Sequence, residues 1–178
     1  MGHMVRAAIA VGALVALGAL VVGVTAGGAR IYRIDSDSMR PSLSAGDILF
    51  ATAAGAALDR GDVVVFADPG GWADRIARLT GSGPVAPTFV KRIVGLPGER
   101  VACCDPEGRI TVDGEAIDEP YLAEQDTLAS ILAFDVRVPA DSAFVLGDDR
   151  RASVDSRYLG VVPLDAILGV ERVVIPLH

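Results

Sequence analysis

Histidine is almost missing from this chain: the two that occur, His3 and His178, stand at its extreme ends. That leaves nothing from which to build a histidine-based catalytic triad, and it removes most zinc sites, which combine His and Cys ligands. The two cysteines, Cys103 and Cys104, are adjacent, so a metal centre would need carboxylates alone, and neither metal nor cofactor is expected. Side by side, they read as two small buried side chains, with a vicinal disulfide as the alternative in an oxidising compartment. Lysine is scarcer still. Of sixteen cationic residues fifteen are arginine and one is Lys91. The arginines are scattered and the formal net charge is -7, which argues against a nucleic-acid partner, since phosphates require clustered cations.

What the chain does have is apolar surface, 51% of its residues with only 5% aromatic, concentrated in Ala, Val, Leu and Gly near the N-terminus. Residues 7 to 26, "AAIAVGALVALGALVVGVTA", carry no charge. Twenty residues at 1.5 Å rise span about 30 Å, the thickness of a bilayer's hydrocarbon core. A cleaved secretory signal is the rival reading, with Arg6 before the run and "VTA" as its cleavage site. The run exceeds the usual length of a signal's apolar region, which favours an uncleaved transmembrane anchor. Charge counting leaves the orientation open, because Arg30, Arg33 and Arg40 follow the span while only Arg6 precedes it.

At 178 residues the rest supports one main domain. "RIYRID", "DILFATA", "GDVVVF", "FVKRIVG", "FDVRVP", "AFVLGD" and "GVERVVIP" alternate or run apolar and read as strands, and "RITVDGEAI" carries the hairpin pair Asp113-Gly114. Short strands punctuated by Gly and Pro predict a mainly β fold. The expected division is an anchor over 5–28, a main β domain over 29–102 and 137–178, and a small inserted β cap over 103–136. Trp72, Ile76 and Leu79 recur at helical spacing; packing onto the core is the preferred reading, a bilayer-surface helix the alternative.

Without histidine, activating a serine requires a carboxylate or a neutral lysine. Lys91 lies between "TFV" and "RIVGL", apolar on both sides, where desolvation would depress its pKa. The same position also suits a lysine whose stem packs on the sheet while its ammonium reaches water.

Four segments break that tie. "SDSMRPSL", "GDVVVF", "KRIVGLPGERV" and "GDDRRASVDSRYLGVVP" resemble, in order and spacing, the successive boxes of bacterial type I signal peptidases, also called leader peptidases. The Arg-rich composition and single span look like the actinobacterial members. The resemblance implies a membrane-bound serine endopeptidase that removes signal peptides from exported preproteins after small residues at positions -1 and -3. It puts the nucleophile at Ser38 and the general base at Lys91, with Ser36 and the backbone N–H of Ser38 as oxyanion hole. It also implies that Ser153 orients the lysine, that Asp155 and Arg157 form a supporting pair, and that Asp148 pairs with Arg92. Matching positions put Ile34, Met39, Leu43, Phe89 and Val90 in the substrate pockets. The implied partners are preproteins and the bilayer, with the catalytic domain on the extracytoplasmic face of the cell membrane. In the last box Asp149, Arg151 and Ala152 depart from the family's usual Asn, Asp and Asn. Two rivals stand beside this reading: a Ser/Lys maturation protease of the conjugation-pilus type, and a membrane-anchored β domain that binds partners without catalysis.

Overall fold

The computed structural model describes residues 28–55, 57–123 and 128–177. The expected anchor lies outside them, and among the described residues no helix is long and apolar enough to cross a membrane. The strands, in chain order, are β1 (Arg30–Arg33), β2 (Ile48–Thr52), β3 (Val63–Ala67), β4 (Thr88–Gly95), β5 (Arg100–Cys103), β6 (Ile110–Val112), β7 (Glu115–Ala116), β8 (Phe134–Arg137), β9 (Ser142–Leu146), β10 (Val162–Pro163) and β11 (Ile167–Ile175). Among the described residues two α-helices join them, α1 (Trp72–Thr80) and α2 (Ser156–Leu159). The fold is mainly β, and every strand read from the sequence is present.

Seven strands form one antiparallel sheet in the order β1-β2-β11-β3-β4-β9-β10, and four form a second in the order β7-β6-β5-β8. Burial on both faces explains why β3 is apolar throughout and β9 from Ala143 onward. In β3, Val64 and Phe66 enter one core cluster with Trp72, Phe89 and Ile93, while Val63 and Val65 face a second with Ile34, Met39, Leu43 and Leu49. In β9, Ala143 and Val145 join the first cluster, and Phe144 and Leu146 join a third with Val101, Ile110 and Val112 of the small sheet. Period-2 alternation thus distributes one continuous run between two interiors. Asp113-Gly114 makes the β6–β7 turn, with Asp113 at φ 51° and Gly114 at φ 89°, the left-handed geometry that a tight hairpin requires. Cys103 and Cys104 are joined as a vicinal disulfide at the end of β5.

The helical spacing of Trp72, Ile76 and Leu79 is α1. Trp72 is buried edge-on against Phe66, ring centroids 5.4 Å apart, Ile76 packs on the same cluster, and Leu79 is exposed. Asp68 fixes the start of the helix by accepting from the backbone N–H groups of Trp72 (2.8 Å) and Ala73 (3.0 Å), donors that otherwise lack partners in a first turn.

β4 is covered unevenly along its edges. All of Thr88 to Arg92 pairs with β3, but β9 pairs with β4 only from Arg92 onward. Among the described residues, the stretch before Arg92 therefore keeps one edge without a neighbouring strand. Because α1 stands on the Phe66 and Phe89 cluster through Trp72, Trp72→Ala is expected to cost about 3–5 kcal/mol of stability, read as a lower denaturant midpoint with unchanged slope.

Candidate active site

Ser38 lies in the turn after β1. Arg40 N–H donates to the Asp37 carbonyl (3.0 Å) and Leu43 N–H to the Met39 carbonyl (2.9 Å), while the buried side chains of Met39 and Leu43 pin the turn to the core. The Asp37 carboxylate accepts from Ala45 N–H at 2.9 Å. On the opposite wall, Lys91 shares a face of β4 with Phe89 and Ile93 and stands across from Val64. Its Nζ lies 2.6 Å from Ser38 Oγ, in hydrogen-bond contact. Ser36 Oγ is 3.3 Å from the same oxygen. Among the described residues nothing accepts from the Ser38 N–H.

Burial pushes the Lys91 amine down to about 8; Asp155, Asp148 and, less strongly, Asp35 pull it up, and Arg157 adds to the fall. At that value about one lysine in ten is neutral at pH 7, against fewer than about one in a thousand for an ordinary lysine. A neutral Nζ this close to a hydroxyl can take its proton. The tie left by the local sequence is resolved: Lys91 is buried and does not reach into water.

The turn that follows β9 wraps the Ser38 backbone. Asp149 N–H donates to the Ser38 carbonyl at 3.1 Å. Gly147 sits so close that a Cβ on it would overlap the Ser38 carbonyl oxygen and the Ser153 side chain. Its N–H donates to Asp155 Oδ2 (3.1 Å), and the fully buried Asp155 holds Arg157 through two bonds of 2.7 Å. Arg92, next to Lys91, makes a forked pair with Asp148 (2.9 and 2.6 Å), and Ser42 Oγ donates to the same carboxylate at 2.6 Å.

The structure does not form a bond from Ser153 to Lys91. Ser153 Oγ is buried against Gly147 and has no hydrogen-bond partner among the described residues. A cavity of about 520 Å³ opens beside Ser38 and Lys91, and Ile34, Met39, Phe89 and Val90 line it together with Asp35 and Ser36. Leu43 does not: its link to Met39 folds it into the core beneath, at 1% exposure. Sequence reasoning missed Gly147, Arg150, Glu119 and Tyr121: the lack of room for a side chain at Gly147 has no local signal, and Arg150 reads as one more charge in a charged loop. Among the described residues no three His, Cys, Asp or Glu side chains are placed to hold a metal.

The family model for "Signal peptidase, peptidase S26" matches residues 4–176. The chain belongs to the signal peptidase family. It is 35% identical over 156 residues to a probable signal peptidase I-2 of Synechocystis, an alignment that covers 84% of this chain and 64% of that protein's length. It is 34% identical over 155 residues to signal peptidase I S of Bacillus subtilis, covering 80% of this chain and 74% of the relative. The crystal structure of a signal peptidase I from Enterococcus faecalis superposes with a TM-score of 0.49 at 27% identity, over 66% of this chain and 98% of that one.

Two outcomes are expected of this member of the family. Since an unfolded lysine titrates near 10.5 and the folded Lys91 near 8, the unfolded chain binds more protons between those values. Holding the ammonium therefore costs the fold about 3 kcal/mol below pH 8, a penalty that fades as pH rises towards 10.5. Lys91→Met should accordingly stabilise the protein at pH 7 and lose that advantage by pH 10.5, measured by denaturant unfolding across the range. Gly147→Ala should displace the turn from Ser38 and lower the rate of any Ser38-dependent reaction at least about a hundredfold.

Proposed function

We propose that this chain is a membrane-bound serine endopeptidase that removes signal peptides from exported preproteins, with Ser38 as nucleophile and Lys91 as general base. The contact of 2.6 Å between a buried lysine and a serine carries the reading. Neutral Lys91 takes the Ser38 proton as Oγ attacks the scissile carbonyl. The Ser36 hydroxyl and the Ser38 N–H face the developing oxyanion, where one such donor typically contributes about 2.7–4 kcal/mol. Collapse of the tetrahedral intermediate transfers the lysine's proton to the leaving amine and leaves an acyl-enzyme, which water hydrolyses with Lys91 again as base. Asp148 with Arg92 and Asp155 with Arg157 hold the turn and strand that carry the two reacting groups.

The substrate would lie extended against the open edge of β4 before Arg92, using backbone hydrogen bonds for affinity. Ile34, Met39, Phe89 and Val90 make apolar walls suited to small side chains at positions -1 and -3. In this reading residues 5–28 anchor the chain, 29–102 and 137–178 form the catalytic domain, and 103–136 form a cap on it, with the domain on the extracytoplasmic side of the cell membrane. An apolar sheet face supports bilayer contact: exposed Ile31 and Val173 flank half-buried Phe50 in one cross-strand row, and exposed Ile175 stands beside half-buried Ile48 in the next, just after the apolar N-terminal run.

The decisive assay is cleavage of a precursor carrying an Ala-x-Ala site by the full chain in detergent micelles. Wild type should cut at that site, and Ser38→Ala and Lys91→Ala should each lose about a thousandfold or more. Lys91→Arg should be as inactive as Lys91→Ala, because a guanidinium stays protonated. Activity retained by the arginine variant would remove Lys91 from the base role, and no cleavage by wild type would remove the reading altogether.

A further inference from the structure

Glu119, Pro120 and Tyr121 lie between β7 and β8, outside either sheet, yet their side chains reach the arginines beside both halves of the dyad. The Glu119 carboxylate takes a two-pronged bond from Arg150, with Nη1 at 2.9 Å, and both side chains are buried, 6% and 8% exposed. Arg150 in turn donates from Nε to the Gly147 carbonyl at 3.0 Å, and its own carbonyl accepts from Arg157 at 2.9 Å. The Tyr121 ring lies under the Arg92 guanidinium, 4.0 Å from centroid to carbon, and the Tyr121 hydroxyl donates to Glu119 Oε1 at 2.7 Å. Burial, with the charge of Glu119, raises the Tyr121 phenol well above its ordinary range, so it remains a donor. A proline between the two fixes φ and limits how they can move relative to each other.

These contacts close a loop through space. Arg92 follows Lys91 on β4, Gly147 and Asp149 clasp the Ser38 backbone, and the Glu119–Tyr121 strap touches both sides. A buried carboxylate facing a buried guanidinium is expensive to desolvate and would be an odd choice for stability alone. It does fix direction, because a forked Arg–carboxylate pair tolerates little rotation.

We infer that Glu119 and Tyr121 are positioning residues that hold the Lys91 strand and the Gly147 turn in register across Ser38. The inference rests on the Ser38–Lys91 reading above, but part of its test does not. Slackening the strap lets water reach Lys91. Burial is the largest influence on that amine, ahead of Asp155, Asp148, Arg157 and Asp35, so the lysine should titrate higher when the shell opens.

The chain has one lysine, so isotope-labelled lysine gives a single side-chain Cε resonance whose pH midpoint reports Lys91 directly, with or without catalysis. Wild type, Tyr121→Phe, Tyr121→Leu and Glu119→Gln would be compared as full chains in micelles, with cleavage of the Ala-x-Ala precursor alongside. Tyr121→Phe keeps the ring on Arg92 but loses the bond to Glu119, and should lower kcat less than Tyr121→Leu does. Tyr121→Leu and Glu119→Gln should lower kcat about tenfold or more with KM little changed, and should move the Lys91 midpoint upward by half a unit or more.

An unchanged or lowered midpoint in the folded Leu and Gln variants would overturn the inference, as would a loss confined to KM. Unfolding of both would assign the strap a general structural role and overturn it equally. If wild type cleaves nothing, the function reading fails while the Lys91 midpoints still judge the strap.

Discussion

An amine held out of water against a hydroxyl is the constraint around which this structure is arranged. Lys91 can stand 2.6 Å from Ser38 with a depressed pKa only because Phe89, Ile93 and Val64 surround its strand position. Protonated, the amine costs stability in that setting, so the surrounding fold has to hold it there. Two buried or nearly buried ion pairs, Arg92 with Asp148 and Arg157 with Asp155, do so from neighbouring segments. Each satisfies its own charges with further hydrogen bonds, which is the condition under which a buried pair is tolerated.

The same arrangement accounts for the shape of the cleft. β9 ends at Leu146 and the chain turns at Gly147 to embrace Ser38 instead of continuing along β4. That departure leaves the edge of β4 before Arg92 open, beside the cavity that Ile34 and Phe89 line. One event in the chain therefore both positions the serine and exposes the strand edge against which an extended peptide could be read. The segment between β7 and β8 enters through Glu119 and Tyr121, so it contributes to the site without lining the wall on which Lys91 lies.

The strands were legible because their burial follows short periods. "GDVVVF" and "AFVLGD" run apolar since each strand is covered on both faces, and Asp113-Gly114 marks a hairpin through the φ that its turn demands. Lys91 stood out through scarcity, and Ser38 only through the resemblance of four ordered segments to those of signal peptidases. Leu43 was misplaced into a pocket, since an apolar residue three to five positions beyond a serine looks the same in sequence whether it faces a cleft or the core. Ser153 shows the opposite problem, a buried hydroxyl near the right place whose orientation depends on how closely a glycine lets it approach.

By itself, then, the sequence determined the β character of the chain, the lack of internal histidine and the singleness of Lys91, which follow from composition and local period, while the pairing of Ser38 with Lys91 came from the family resemblance of four ordered segments. Only the tertiary structure decided that Lys91 is desolvated, that the edge of β4 is open, that Gly147 admits no side chain and that Glu119 meets Arg150. Those are contacts between residues tens of positions apart, such as the 31 separating Glu119 from Arg150 and the 53 separating Ser38 from Lys91. No local pattern encodes them, since they arise only when non-neighbouring strands and the turns between them close on a shared interior.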